Sequence, residues 1–342
     1  MDGEGFCSLG DAHLPMKEPN MSTYLITGGA GFIGSHLAES LLADGHKVIV
    51  LDDLSTGSAD NIEHYRHDPN YELVIDTIMN ADLMSELMDR CDYVFHMAAV
   101  VGVRRVLESP IRTIQSIVQG TDIVLELAAK KDKTVFIAST SEIYGKSTAL
   151  PFSEEGDVVL GGTCRGRWSY ACAKAIDEFL ALAYHRECNL KVVVGRHFNT
   201  VGPRQSARYG MVLPQFISQA VAGEPVTVYG DGRQQRCFCH VNDVVWAIKR
   251  LIVNPQSYGK VFNIGSREEI SILDLALLVK ERTHSDSEIV FVPYDAAYDD
   301  NFEDMRRRIP DLHRLHDLVG EKPLVPLRQI IDQMAEHHLS HA

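Results

Sequence analysis

No apolar run in the sequence approaches the ~18 to 20 residues of a membrane-spanning helix, so a membrane-embedded protein is not expected. Basic residues are in deficit, with 33 Lys and Arg against 47 Asp and Glu and a formal net charge of -14. A nucleic-acid or anionic-membrane surface needs a broad basic face, so neither partner fits, and an anionic small substrate would have to be met by local arginines. The seven cysteines, at 7, 91, 164, 172, 188, 237 and 239, are an odd, scattered set. They form no disulfide framework and suit a reducing cytoplasm. Cys237, Cys239 and His240 fall in one strand-like segment with no second Cys/His cluster at zinc-type spacing, so no metal is expected. Residues 1–20 lack both a basic n-region and an apolar h-region, which excludes a secretion signal and leaves a disordered tail, with Met16 or Met21 as alternative starts. His337, His338 and His341 read as a polar C-terminal tail. Internal repeats and low-complexity tracts are absent.

What is present is a chain of 342 residues with 45% hydrophobic content, enough for a large core. "TYLITGGAGFIGSHLAESLLADGHKVIVLDD" is an apolar run, a glycine turn, an amphipathic helix and a second buried strand ending at Asp52. Further apolar runs at 73–75, 93–96, 135–138 and 192–194 alternate with helix-length segments. This predicts an α/β protein with a doubly wound parallel sheet. After about residue 200 the pattern becomes Pro- and Gly-punctuated. We therefore expect a dinucleotide-binding domain over 21–200, completed by about 236–266, and a smaller domain, mainly for substrate, over 201–342.

Gly28, Gly31 and Gly34 follow a strand and open a helix, which lets bare backbone approach a pyrophosphate at the helix N-terminus. The next strand ends in Asp52, where a carboxylate would hold ribose hydroxyls and repel a 2'-phosphate, so NAD is favoured over NADP. Tyr170 stands four residues before Lys174, on one helical face about one turn apart. An ammonium and a positively charged nicotinamide would both favour the phenolate, making Tyr170 a base. Ser139, Thr140 and Ser141 close a strand at the end of the sheet where ligands sit, and a hydroxyl there can reach both substrate and phenol.

Taken together, "TGGAGFIG", "LDDLSTG", "HMAA", "STSEIYG", the Tyr170 and Lys174 pair, "RHFNTVGPR" and "YGDGRQQRCFCHVNDVV" resemble, in order, the motifs of the extended short-chain dehydrogenase/reductases that act on nucleotide sugars. The resemblance implies a Rossmann-type fold and an NAD site formed by Gly28, Gly31, Phe32, Ile33, Gly34, Asp52, Asp53, Asp76, Ala98, Ser139, Tyr170 and Lys174. It implies substrate contacts from Arg167, Asn199, Arg208, Arg236 and Arg308, and a homodimer in which the helices around 109–130 and 169–186 pair across a four-helix bundle. The shared chemistry is C4 oxidation, with Tyr170 taking the sugar O4 proton.

Three fates of a 4-keto sugar then compete. A 4,6-dehydratase in this family carries an Asp-Glu pair after the strand threonine, where this chain has Ser141 and Glu142, so dehydration is demoted. "TSE" resembles the decarboxylases, and "RWSYACAK" resembles the matching stretch of apiose- and xylose-forming synthases and of bacterial UDP-glucuronate decarboxylases. Catalytic Thr140, Ser141, Glu142, Tyr170 and Lys174, acting on UDP-glucuronate, are what this resemblance implies. A 4-epimerase of UDP-sugars is the alternative, because only Glu142 departs from its pattern. A non-catalytic dinucleotide-binding regulator is a third reading, against which Thr140, Tyr170 and Lys174 argue.

Overall fold

Short runs rich in Val, Ile, Leu and Phe form strands buried almost end to end, as in Lys191–His197, where five consecutive residues are buried. Burial on both faces favours parallel pairing, since crossover helices then cover the sheet on each side. The computed structural model describes residues 21–99, 109–207, 210–293 and 305–340; the N-terminal tail and Arg208 lie outside them. Its main sheet comprises β1 (Thr23–Thr27), β2 (Lys47–Leu51), β3 (Tyr71–Val74), β4 (Tyr93–His96), β5 (Thr134–Thr140), β6 (Lys191–His197) and β7 (Lys260–Ile264). All pairs are parallel, in the order β7-β6-β5-β4-β1-β2-β3. Winding reverses between β1 and β4, which leaves a crevice at the carboxyl ends of those strands, the usual ligand position in such sheets.

The helices in chain order are α1 (Phe32–Ala43), α2 (Ala81–Asp89), α3 (Pro110–Lys130), α4 (Ser169–Cys188), α5 (Val212–Ala222), α6 (Val241–Ile252), α7 (Ile272–Thr283), α8 (His313–Val319) and α9 (Leu327–Ser340). Successive strand residues feed opposite layers, because side chains alternate across a sheet. Ile26 and Val50 pack with Leu37 and Leu41 of α1 and Val244 and Ile248 of α6. Leu25, Ile49 and Leu51 pack instead with Met84 and Leu87 of α2, Val124 and Leu125 of α3 and Ala181 of α4.

A second core is built after residue 200. Leu213, Phe216 and Ile217 of α5, Leu275 and Val279 of α7, and Ile330 and Ile331 of α9 surround the parallel strands Val226–Tyr229 and Ile289–Val292. The polar C-terminal tail expected from the histidines is corrected here. His337 and His338 close α9, whose buried Leu327, Ile330, Ile331, Met334 and Ala335 recur at helical period; His341 lies outside the described residues. Among the described residues no helix is long and apolar enough to cross a membrane, and no cluster of His, Cys, Asp or Glu is arranged to hold a metal.

Candidate active site

The glycine turn is shaped by close approach. Gly28 has a φ of +74°, and a Cβ there would lie 2.8 Å from the Ala98 backbone. At Gly34 a Cβ would lie 2.2 Å from the Gly28 carbonyl oxygen. Gly31 caps α1 with no side-chain hydrogen bond and no acidic residue follows in the first turn, so the amides of Phe32, Ile33 and Gly34 are left for an anion. Asp52 accepts from Ala30 N at 2.9 Å and Leu54 N at 2.8 Å, locking the turn to the end of β2, and its burial pushes the carboxyl pKa up. Exposed Asp53 accepts from Ser55 N, while Asp76 accepts from Thr77 N and Asn80 Nδ2 and so braces the start of α2. Bare glycine backbone, an uncapped helix N-terminus and a carboxylate at the end of β2 fit a dinucleotide.

Across the crevice, Tyr170 lies in the first turn of α4 with Lys174 one turn on. Burial, then the charges of Glu142 and Asp177, push the pKa of the Tyr170 phenol up, against a hydrogen bond with Thr140. Lys174 itself is turned to Asp177, with Nζ 2.7 Å from Oδ2. Sequence reasoning overlooked Asp177, although Lys-x-x-Asp is a helical contact spacing. It also overlooked His197 at the end of β6, in register with Thr140. Among the described residues neither His197 ring nitrogen has a hydrogen-bond partner, and burial, then Lys174, lower its pKa to about 4.

Beyond the phenol sits Glu142, just after β5, where Thr140 Oγ1 accepts from its amide at 3.2 Å. Arg308 Nη2 donates to Glu142 Oε1 at 2.7 Å, and Arg167 Nη2 lies 2.5 Å from Oε2. Burial alone would raise this carboxyl, but the two guanidinium groups overcome it and hold the pKa at about 2. Arg308 also approaches Ser141 Oγ, at 3.5 Å. Its segment is pinned by backbone: Phe152 N donates to Ile309 O and Asp311 N donates to Phe152 O, each at 2.8 Å. Asn263 Nδ2 ties both Phe152 O and Asp311 O to the end of β7.

Several other expected residues make contacts within the protein. The Ser139 hydroxyl donates to Glu178 at 2.5 Å, inside a buried network in which Arg196 also grips Glu178, so Thr140 rather than Ser139 meets the phenol. Strand alternation is the reason, since neighbours on β5 point to opposite faces. Asn199, with a φ of +30°, donates to Cys237 O at 2.8 Å and joins the turn after β6 to the strand Gln235–Cys237. Arg236 is buried with Nη1 on Gln235 O at 2.8 Å.

Residues 24–265 match the family model described as "NAD dependent epimerase/dehydratase family". A UDP-N-acetyl-alpha-D-glucosaminuronate decarboxylase from Bacillus cytotoxicus is 41% identical over 306 residues, covering 89% of this chain and 94% of that one. UDP-glucuronic acid decarboxylase 1 of Xenopus tropicalis is 37% identical over 316 residues, covering 92% and 71%. The crystal structure of a UDP-glucuronic acid 4-epimerase from Bacillus cereus, in complex with UDP-glucuronic acid and NAD, superposes with a TM-score of 0.84 at 25% identity, covering 94% of this chain and all of that one. A glycine turn, a Tyr-Lys helix and a switch-point crevice, matched along most of the chain, make this protein a member of the NAD dependent epimerase/dehydratase family.

Proposed function

We propose that the protein is an NAD-dependent decarboxylase of a UDP-linked hexuronic acid, working through transient oxidation at sugar C4. The observation that carries this is the pair Arg167 and Arg308 converging on one carboxylate next to Thr140 and Tyr170. Two guanidinium groups at the reacting end of the crevice suit a substrate with its own carboxylate.

Bound NAD supplies the hydride acceptor for C4. Tyr170 takes the O4 proton, with Thr140 aligning the phenol and the sugar hydroxyl. The C6 carboxylate is then β to a ketone, so the C5–C6 bond breaks, carbon dioxide leaves, and the bonding pair stays behind as the enolate of C5, C4 and O4. Arg308 and Arg167 steer the carboxylate; as the two guanidinium groups turn to it, Glu142 loses the charges that keep it ionised and can carry the proton that goes to C5. Gly28, Gly31, Phe32, Ile33 and Gly34 would receive the pyrophosphate, and Asp52 or Asp53 the adenosine ribose. Asn199 and Arg236 are assigned to the substrate diphosphate, and Arg208 to the substrate, by family likeness.

The test is incubation with NAD and UDP-glucuronate, followed by mass spectrometry. Loss of carbon dioxide supports the reading, whereas a product of unchanged mass makes the protein a 4-epimerase. A second substrate is favoured by one observation: the Bacillus cytotoxicus relative is named for the 2-acetamido uronate. A parallel incubation with UDP-N-acetylglucosaminuronate compares the two kcat/KM values directly. We further assign the working protein to a homodimer, because Ile111, Ile114, Ile176 and Phe179 expose an apolar face on α3 and α4 that a second copy would cover. The cytoplasm is its proposed compartment, in keeping with six free cysteines among the described residues.

A further inference from the structure

Lys174 is 2% exposed and Asp177 is fully inaccessible, yet the two form an ion pair at 2.7 Å inside α4. A buried charge persists only with a partner and supporting hydrogen bonds. That support comes from a chain of side chains under the crevice. Ala98 N donates to Thr27 Oγ1 at 3.4 Å, Thr27 Oγ1 lies 2.8 Å from His96 Nδ1, and His96 Nε2 lies 3.1 Å from Thr121 Oγ1. Burial pushes the Asp177 carboxyl pKa up, against Lys174 and then Thr121, which favour the ionised form. The chain of contacts thus runs from the floor of the glycine turn through His96 to Thr121, beside the counter-ion of the lysine.

We propose that Asp177 is a positioning residue for the family reaction, holding the Lys174 ammonium charged and fixed one turn below Tyr170. The assignment rests on the reading of Tyr170 and Lys174 as the oxidation pair. Other titratable and charged groups face this site from every side among the described residues. Glu178 shares the helix, Glu142 follows β5, His96 ends β4 and His197 ends β6. Glu142 is committed to Arg167 and Arg308, and Glu178 to Arg196. Asp177 is thus the carboxylate left to pair with the lysine.

Asp177→Asn keeps the volume and removes the charge. In full-length protein with 13C-labelled lysine, the Lys174 resonance, identified by its loss in Lys174→Arg, should titrate at least about one pH unit lower in Asp177→Asn than in the unsubstituted chain, because burial disfavours an unpaired ammonium. This readout needs no sugar, so it stands or falls apart from the decarboxylase reading. With substrate, the alkaline limb of kcat should move down by a similar amount while KM stays within about twofold, and Asp177→Glu should recover most of the rate. Superimposable lysine titrations in the two proteins would overturn the proposal. If Asp177→Asn does not fold, the double variant Lys174→Met, Asp177→Leu takes over. A folded double variant, its charge and counter-charge removed together, supports a paired charge, and a double variant that also fails to fold overturns it.

Discussion

Arg308 Nη2 meets Glu142 Oε1 at 2.7 Å although 166 residues separate them in the chain. The contact joins the C-terminal segment to the end of β5 and keeps the Glu142 carboxylate ionised down to about pH 2. A carboxyl whose folded-state pKa lies below its usual 4.5 contributes stability that is complete above that value and is lost as pH falls toward 2. Glu142→Gln should flatten the pH dependence of stability in that window. At neutral pH it should cost roughly 3 kcal/mol, because two buried guanidinium groups lose their partner. Chemical denaturation at pH 7, 4.5, 3 and 2 checks both; parallel curves for the two proteins would count against the clamp.

Decarboxylation by Glu142→Gln should fall by about 10² to 10⁴, the usual worth of a positioned proton-transfer group. The C4 oxidation step should survive. Single-turnover absorbance of reduced cofactor, followed beside carbon dioxide release, separates the steps. Full carbon dioxide release by Glu142→Gln would show that this carboxyl does not distinguish decarboxylase from epimerase.

Because burial, Glu142 and Asp177 all raise the Tyr170 phenol, the oxidation rate should still be climbing with pH above neutrality. Thr140→Val removes the hydrogen bond that opposes the rise, so the limb should move further alkaline, with a loss of about 10- to 100-fold at pH 7.5. Tyr170→Phe should lose at least about 10³-fold at every pH. Stopped-flow pH profiles of the three proteins provide the comparison.

Gly34→Ala tests the cradle. Its Cβ would stand 2.2 Å from the Gly28 carbonyl, so the turn must open. NAD affinity, measured by calorimetry without sugar, should drop at least about tenfold, and the thermal midpoint should fall with it.

Phe179→Glu, on the exposed face of α4, should shift the protein from dimer to monomer in sedimentation velocity, leaving its circular dichroism unchanged. A monomer before substitution would remove the dimer from the account.

The parts of the site carried by local spacing were legible in the sequence: the glycine turn, Asp52 at the end of β2, and Tyr170 one helical turn from Lys174. What depends on distant segments meeting was not. Arg167 and Arg308 were each foreseen near the sugar, but their convergence on Glu142 requires the Phe152 and Ile309 backbone pairing, which no local pattern announces. Three hydroxyls in a row left open which of them meets the phenol, and the pleat of β5 decides it by turning Ser139 to Glu178. The α9 helix was hidden by its terminal histidines, even though Leu327, Ile330, Ile331 and Met334 carry its period.

β7 enters the main sheet only after the chain has already built α5 and the strand Val226–Tyr229 of the second core, and α8 later returns Leu315 to the first. The two halves are stitched by repeated passes of one polypeptide, so cutting the gene near residue 200 would leave each fragment missing an edge or a layer. Any opening of the crevice must therefore be a modest flexing of paired connections, and engineers who wish to exchange the second core should graft its separate segments together, as a set.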